Sequence, residues 1–473
     1  MAGRAETVDA LILGSGTGGT ALALHLAGTG QSVAVVERRW MGGACPNIAC
    51  LPSKNEIWSA KVADLARRYL GEMGLGTLTI GVDMEQVRQR KRAMVDGLSA
   101  DIRENFRARG VELILGQGRF VGSKALRVEL NAGGTRDIEA GRVFLNVGTR
   151  AAIPAIPGLA AANPLTHIEA LELDCVPAHL AVIGGGYVGL ELGQAFRRFG
   201  SEVTVVESGP QLIPREDPDV AAELANVLSE EGLEILTMAD VLRVEGRSGQ
   251  RVRCHVRSPS GERIIDASDV LVAAGRTPNT ADIGLDAANV EVDKRGYIQV
   301  DDRLRTSAAN IWALGECAGS PQFTHVSYDD FRIVRDNLSG GVRSTRGRVI
   351  PFCVFTDPPF ARVGLNETEA CQQRRRVRVA RLPIKAIGRA RTTGEISGFM
   401  KAIADADNNR ILGFSMIGAE AGELVAIVQT AMLAELPYPA LADAPFAHPT
   451  MAEGLESLFA SMPTNRGNPR VSL

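Results

Sequence analysis

One local pattern, occurring twice, constrains this chain more than anything else in it. Residues 10–13 form a short apolar run that ends in Gly14, Gly16 and Gly19, spaced G-x-G-x-x-G. Residues 20–26 then read as a helix and 32–36 as a second strand, which ends at Glu37. Each part of such a βαβ unit has a physical task. Gly14 permits the tight turn, Gly16 lets the backbone approach a diphosphate, and Gly19 lets the helix pack on the strand. The diphosphate rests on the helix N-terminus, where N–H groups and the helix dipole favour an anion. Glu37 is placed to accept hydrogen bonds from a ribose. The expectation is a dinucleotide site.

The pattern returns at residues 180–183, followed by Gly184, Gly186 and Gly189, a helix through Phe199, and a strand 202–206 that ends at Glu207. Two such units imply two dinucleotides, or a duplicated domain of which one copy is idle. The simplest reading is one bound flavin dinucleotide and one nicotinamide dinucleotide that comes and goes, so that electrons enter as hydride and must be passed on.

At 473 residues the chain exceeds one ordinary domain. The predicted fold class is α/β, with two Rossmann-like dinucleotide-binding domains and a C-terminal α+β interface domain. A strand at 143–147 ending near Gly148 reads as a return to the first domain, as does a strand at 311–314 followed by Gly315 and Glu316. Residues 270–274 with Gly275 close the second unit. The expected division is 1–150 and 271–345 for a split flavin domain, 151–270 for the nicotinamide domain, and 346–473 for the interface domain. In that last part, residues 398–417 alternate like an antiparallel sheet, with helical patterns at 420–436 and 451–462.

The net charge of −3 favours neither nucleic acid nor an anionic membrane as partner. The run of Arg374, Arg375, Arg376 and Arg378 is a local exception that reads as a solvated edge. No apolar run has the length of a signal segment or a membrane span, so the expected compartment is the cytoplasm. Seven cysteines spread over so long a chain do not form a disulfide framework.

Only Cys45 and Cys50 are close in sequence, and they follow directly on the first βαβ unit, after Gly42 and Gly43. C-x4-C is too wide for a thioredoxin motif and has no second pair for zinc. An ideal helix would hold the two beyond comfortable disulfide reach. The pair is therefore expected where a helix begins, with Cys45 in a distorted entry and Pro46 in the first turn. A helix N-terminus also favours thiolate, the reactive form.

This segment resembles the redox-active helix of the class I pyridine-nucleotide:disulfide oxidoreductases, the family of dihydrolipoamide dehydrogenase, glutathione reductase and mercuric reductase. The likeness covers nearly the whole chain in the same order. After Gly14, Gly16, Gly19 and Glu37 come Cys45, Cys50 and Lys54, then Gly184, Gly186, Gly189 and Glu191. Gly315-Glu316 follows, and last His448-Pro449-Thr450-Met451-Ala452-Glu453. The resemblance implies that Cys45 meets substrate and that Cys50 faces the flavin. It implies that Lys54, paired with Glu191, lies near flavin N5, and that Tyr187 covers the nicotinamide pocket. His448 would be the acid–base partner of Cys45, oriented by Glu453 and reaching it from the other subunit of a homodimer. Chemistry agrees, because a thiol nucleophile needs a base titrating near neutrality, held by a carboxylate. FAD is expected on Gly14, Gly16, Gly19, Glu37, Gly43 and Lys54, with Gly148, Gly315 and Glu316. The nicotinamide dinucleotide is expected on Gly184, Gly186, Tyr187, Gly189, Glu207 and Gly275, and no metal site is expected. NADH is expected over NADPH, because Glu207 would repel a 2′-phosphate and Arg215 is the only nearby cation.

Two departures from the family matter. Its second flavin motif usually ends Gly-Asp, where this chain has Glu316. Mercuric reductases carry a C-terminal cysteine pair and a tyrosine at the place of His448, whereas residues 465–473 contain no cysteine. The leading expectation is transfer of electrons from NAD(P)H through FAD and the Cys45–Cys50 pair to a small disulfide or dithiol substrate. The alternatives are a metal-ion reductase of mercuric-reductase type and a diaphorase with a vestigial disulfide site.

Overall fold

The structure, a computed structural model, describes residues 6–76 and 81–463. Its first sheet is built on the strand Glu6–Leu13, whose last four residues are fully or nearly fully buried. Val33–Glu37 pairs parallel on one side of it and Thr135–Leu145 on the other. Glu112–Phe120 extends the sheet beyond the first neighbour and Ile311–Ala313 beyond the second, again in parallel. Ala125–Leu130 joins the outer halves of Glu112–Phe120 and Thr135–Leu145 as an antiparallel connection. The two faces carry separate cores. Leu11, Leu13 and Val36 pack with Val143 and Leu145, while Ile12, Leu22 and Phe144 pack with Trp312 and Phe331. Strands buried on both faces read as continuous apolar runs, which is why residues 10–13 and 143–145 stood out in the sequence.

The helix after the first turn spans Thr17–Gly28 and so starts inside the glycine run, three residues before the predicted start. Two glycines in a first turn are poor helix formers, but here packing demands them. A Cβ on Gly18 would lie 2.6 Å from the Ser327 carbonyl oxygen, and one on Gly19 2.6 Å from that of Gly14.

The second sheet is parallel throughout, in the order Asp269–Val272, His179–Ile183, Glu202–Val206 and Glu234–Leu236. Its first strand crosses residue 270, so the chain leaves this unit slightly later than the expected boundary. Three antiparallel strands, Asp240–Arg247, Arg251–Ser258 and Gly261–Ala267, complete the unit. A short pair, Thr149–Ala151 with Arg276–Pro278, forms the double connection to the first unit.

The third unit is a five-stranded antiparallel sheet. Its order is Pro351–Val354, Phe360–Gly364, Ile411–Ile417, Phe399–Asp405 and Val377–Pro383. The helices Ala421–Leu433 and Glu453–Ala460 share its core through Leu424, Val428, Leu455 and Phe459. Val377–Pro383 is an edge strand, and Arg374–Arg376 before it are exposed, so charge guards that edge against pairing with other chains. The cysteine-free segment 465–473 lies outside the described residues.

Candidate active site

The first glycine turn is fastened from three directions. Glu37 accepts hydrogen bonds from the Ser15 amide at 2.9 Å and hydroxyl at 2.8 Å, and from the Arg39 and Trp40 amides at 2.8 and 3.0 Å. Asn146 accepts from the Gly19 amide at 3.0 Å and donates to the Leu314 carbonyl at 2.9 Å, so it ties the turn to the returning strand. Gly43 closes over Gly16, since a Cβ on Gly43 would fall 2.6 Å from the Gly16 Cα. A cradle of bare backbone results, at a helix start whose N-cap residue Gly16 has no side-chain cap. This suits the diphosphate of FAD, for which such an end supplies amide donors and a favourable dipole.

Cys45 and Cys50 lie on two different helical pieces. Cys45 is in the short turn Ala44–Asn47, and the Asn47 side chain donates 2.7 Å bonds back to the carbonyls of Met41 and Gly43 ahead of it. The chain breaks at Ile48, and Cys50 begins the long helix Cys50–Glu72. Both cysteines are free thiols, and they are electrically unequal. The Cys45 thiol donates toward Cys50, and this bond, with burial, drives Cys45 far above the usual thiol range. The same bond draws Cys50 down to about 6 against the opposing effect of burial, and the Thr324 hydroxyl and Lys54 ammonium add to the pull. Thr324 Oγ1 lies 3.2 Å from Cys50 Sγ.

One turn into the same helix, Lys54 Nζ pairs with Glu191 Oε2 at 2.7 Å. The other oxygen of Glu191 accepts from the Phe355 amide at 2.8 Å, so residues from all three units meet here. Tyr187 opens the helix Tyr187–Phe199 that carries Glu191. Its ring stacks on Phe352 with centroids 5.5 Å apart, and its hydroxyl donates to Glu216 Oε1 at 3.1 Å.

In the second glycine turn, a Cβ on Gly184 would lie 2.6 Å from the Ala273 carbonyl oxygen and one on Gly189 2.2 Å from that of Gly184. Gly186, by contrast, meets nothing within 4 Å and stands open to an approaching ligand, as do Gly148 and Gly275. Glu207 accepts from the Gly185 and Gly209 amides, both at 2.7 Å, and so braces this turn as Glu37 braces the first. Gly315 donates its amide to the fully buried Asp330 at 2.8 Å. The longer Glu316 side chain is held by Arg276 Nε at 3.1 Å and by the Thr149 hydroxyl.

His448 and Glu453 bond through Nδ1 and Oε2 at 2.7 Å, but the His448 side chain is 77% exposed, on the third unit. Among the described residues of one chain, no hydrogen bond or ion pair joins this pair to Cys45. Sequence reasoning missed Asn146, Thr324, Glu216 and Arg362. None sits in a short motif, and each finds its partner only across a domain or a sheet.

The fold and these groups define a flavin-dependent oxidoreductase with two dinucleotide-binding units. Residues 8–330 match the model of pyridine nucleotide-disulphide oxidoreductases and residues 350–459 that of their dimerisation domain, and the chain belongs to this family. It is 37% identical over 458 residues to the probable pyridine nucleotide-disulfide oxidoreductase RclA of Escherichia coli (strain K12), covering 96% of this chain and 98% of that one. It is 34% identical over 450 residues to a mercuric reductase of Bacillus cereus, covering 95% of this chain and 70% of that one. A solved structure, the Cu(II) complex of the HOCl-induced flavoprotein disulfide reductase RclA from Escherichia coli, matches with a TM-score of 0.87 at 35% identity, covering 96% of this chain and 99% of that one. Family membership implies FAD and a pyridine nucleotide, and the dimerisation domain supports a homodimer. Among the described residues no helix is long and apolar enough to cross a membrane.

Proposed function

We propose that this protein is a cytoplasmic, homodimeric reductase that passes electrons from NADH to a small disulfide through the Cys45–Cys50 pair. The observation that carries this reading is the placement of two free thiols, Cys45 and Cys50, on either side of a helix break that follows the first glycine turn, with the Thr324 hydroxyl 3.2 Å from the Cys50 sulfur. FAD, held on the first glycine turn with Gly43, Gly315 and Glu316, would supply the two-electron relay between the nicotinamide and this pair, whose reduced form is a Cys45 thiol beside a Cys50 thiolate. Cys45 then gives its proton to His448 of the partner subunit and attacks the substrate disulfide, forming a mixed disulfide and releasing one thiolate. His448 returns the proton to that thiolate. Cys50, already thiolate, attacks the Cys45 sulfur, re-forms the disulfide and expels the second thiolate, which takes a proton from solvent. Two electrons and two protons thus convert one disulfide into two thiols. Lys54, fixed by Glu191, sets its ammonium beside Cys50, a pull that the Glu191 carboxylate partly offsets, and Thr324 holds the Cys50 sulfur.

A second reading, reduction of a soft metal ion at the same thiols, is favoured by the relatives, one a mercuric reductase and one solved as a Cu(II) complex. Anaerobic NADH titration followed by turnover with lipoamide, Hg²⁺ and Cu²⁺ separates the two. A long-wavelength thiolate-to-flavin band and turnover of a disulfide are expected. Turnover of a metal ion without any disulfide activity would move the assignment to the second reading.

A further inference from the structure

We infer that Glu216 and Arg362 are positioning residues that latch the Tyr187 ring shut, so that the nicotinamide dinucleotide gains its place only by breaking this latch. The inference rests on the reading of Tyr187 as cover of the nicotinamide pocket and adds what holds that cover. Tyr187 has two anchors, one polar and one apolar. Its hydroxyl donates to Glu216 Oε1 at 3.1 Å, and its ring lies on Phe352 at 5.5 Å with an interplanar angle of 22°. Both anchors are set by the same guanidinium. Arg362 Nε lies 2.9 Å from Glu216 Oε2, and the Arg362 guanidinium carbon lies 5.3 Å from the Phe352 ring centroid. Arg362 is itself fixed by Glu369 at 2.7 Å and by the Gly364 carbonyl at 3.2 Å. The lid belongs to the second unit, and its catch belongs to the strand Phe360–Gly364 of the third.

Glu216 is only 4% exposed and is poorly supplied with donors. Its Oε2 and the Arg362 Nε face each other as charges without the alignment of a hydrogen bond. The Tyr187 hydroxyl is therefore the one hydrogen bond to this carboxylate among the described residues. Burial pushes the Glu216 carboxyl up to about 7, against the pull of Arg362 and of Tyr187. A buried carboxylate so placed holds a phenol firmly, because losing the donor leaves it unsatisfied. A protein whose open form is scarce binds its ligand more weakly in proportion to that scarcity. Breaking the latch must then tighten apparent NADH binding.

The test is anaerobic stopped-flow reduction of the FAD-loaded dimer by NADH, and separately by dithiothreitol, which enters through the thiols. Tyr187→Phe and Glu216→Leu, each of which removes one partner of the bond, are each expected to lower the NADH concentration at half-saturation by about tenfold, the size of a hydrogen bond to a charged group. The dithiothreitol reaction should not follow, and the double variant should match the single ones. Unchanged half-saturation in both single variants, additive effects in the double, or equal shifts in both half-reactions would each overturn the latch. Tyr187→Gly, which removes the ring, separates the inference from its premise. If it alters the NADH reaction while the other two do not, only the latch fails. If it too leaves that reaction untouched, Tyr187 is not the cover.

Discussion

The sulfur of Cys50 lies 3.2 Å from the hydroxyl of Thr324, a residue 274 positions away on the helix Thr324–Leu338. The Cys45 thiol is the largest influence drawing Cys50 down to about 6, and Thr324 and Lys54 assist it against burial. Cys50 is thiolate above its pKa, so the thiolate band of the reduced enzyme should rise through pH 6 and be nearly full at neutrality. In Thr324→Val one charge-assisted bond is lost, and the midpoint should move up by about one unit. Thr324→Ser should restore it. A pH titration of the long-wavelength absorbance checks this, and an unmoved midpoint in Thr324→Val would show that the hydroxyl is a bystander.

Cys45→Ser is expected to abolish disulfide reduction while dye or quinone reduction by NADH continues, since a dye takes electrons from the flavin directly. Assays on the same preparation with a disulfide and with a dye measure both. Full disulfide activity in Cys45→Ser would remove the exchange mechanism.

The exposed His448 and the inward Cys45 are expected to meet across a dimer. His448→Ala should reduce disulfide turnover by about 10²- to 10⁴-fold, the range of a lost acid–base group. Mixing it with Cys45→Ser tests the geometry. Each parent homodimer should have little or no disulfide turnover, yet a heterodimer joins the native Cys45 of one subunit to the native His448 of the other. Activity should therefore appear on subunit exchange. Two pools that exchange subunits and stay inactive would place both residues in one subunit.

NADH is expected to give the higher kcat/KM. Glu207 is already committed to the Gly185 and Gly209 amides, which fixes its carboxylate at the end of the strand Glu202–Val206. A fixed carboxylate accepts from ribose hydroxyls and repels a 2′-phosphate. Glu207→Ala should weaken both cofactors, because it also loosens the turn, but it should narrow the gap between them. Steady-state kinetics with NADH and NADPH decide, and a native preference for NADPH would show that Glu207 does not discriminate.

Much of this was legible in the sequence because it is local. A G-x-G-x-x-G turn needs its glycines within six residues, and a buried parallel strand needs an unbroken apolar run, so residues 10–19 and 180–189 declared themselves. The Cys45/Cys50 break was also readable, since a five-residue spacing with Pro46 does not suit a continuous helix. The helix start at Thr17 was misplaced because the glycines that local propensity counts against a helix are required by contacts with Ser327 and Gly14.

The sequence by itself determined the two dinucleotide folds, the adjacency of the thiol pair to the first of them, and membership of the family, since short spacing carries all three. Tertiary structure alone decided what each of these groups touches. Thr324 reaches Cys50, Asn146 bridges the first turn to Leu314, and Arg362 braces Glu216, the bonding partner of Tyr187, through contacts between residues far apart in the chain. No local pattern encodes such pairs. Each residue type is ordinary where it stands, and its role comes from burial, which strips away water and leaves its polar atoms one available partner.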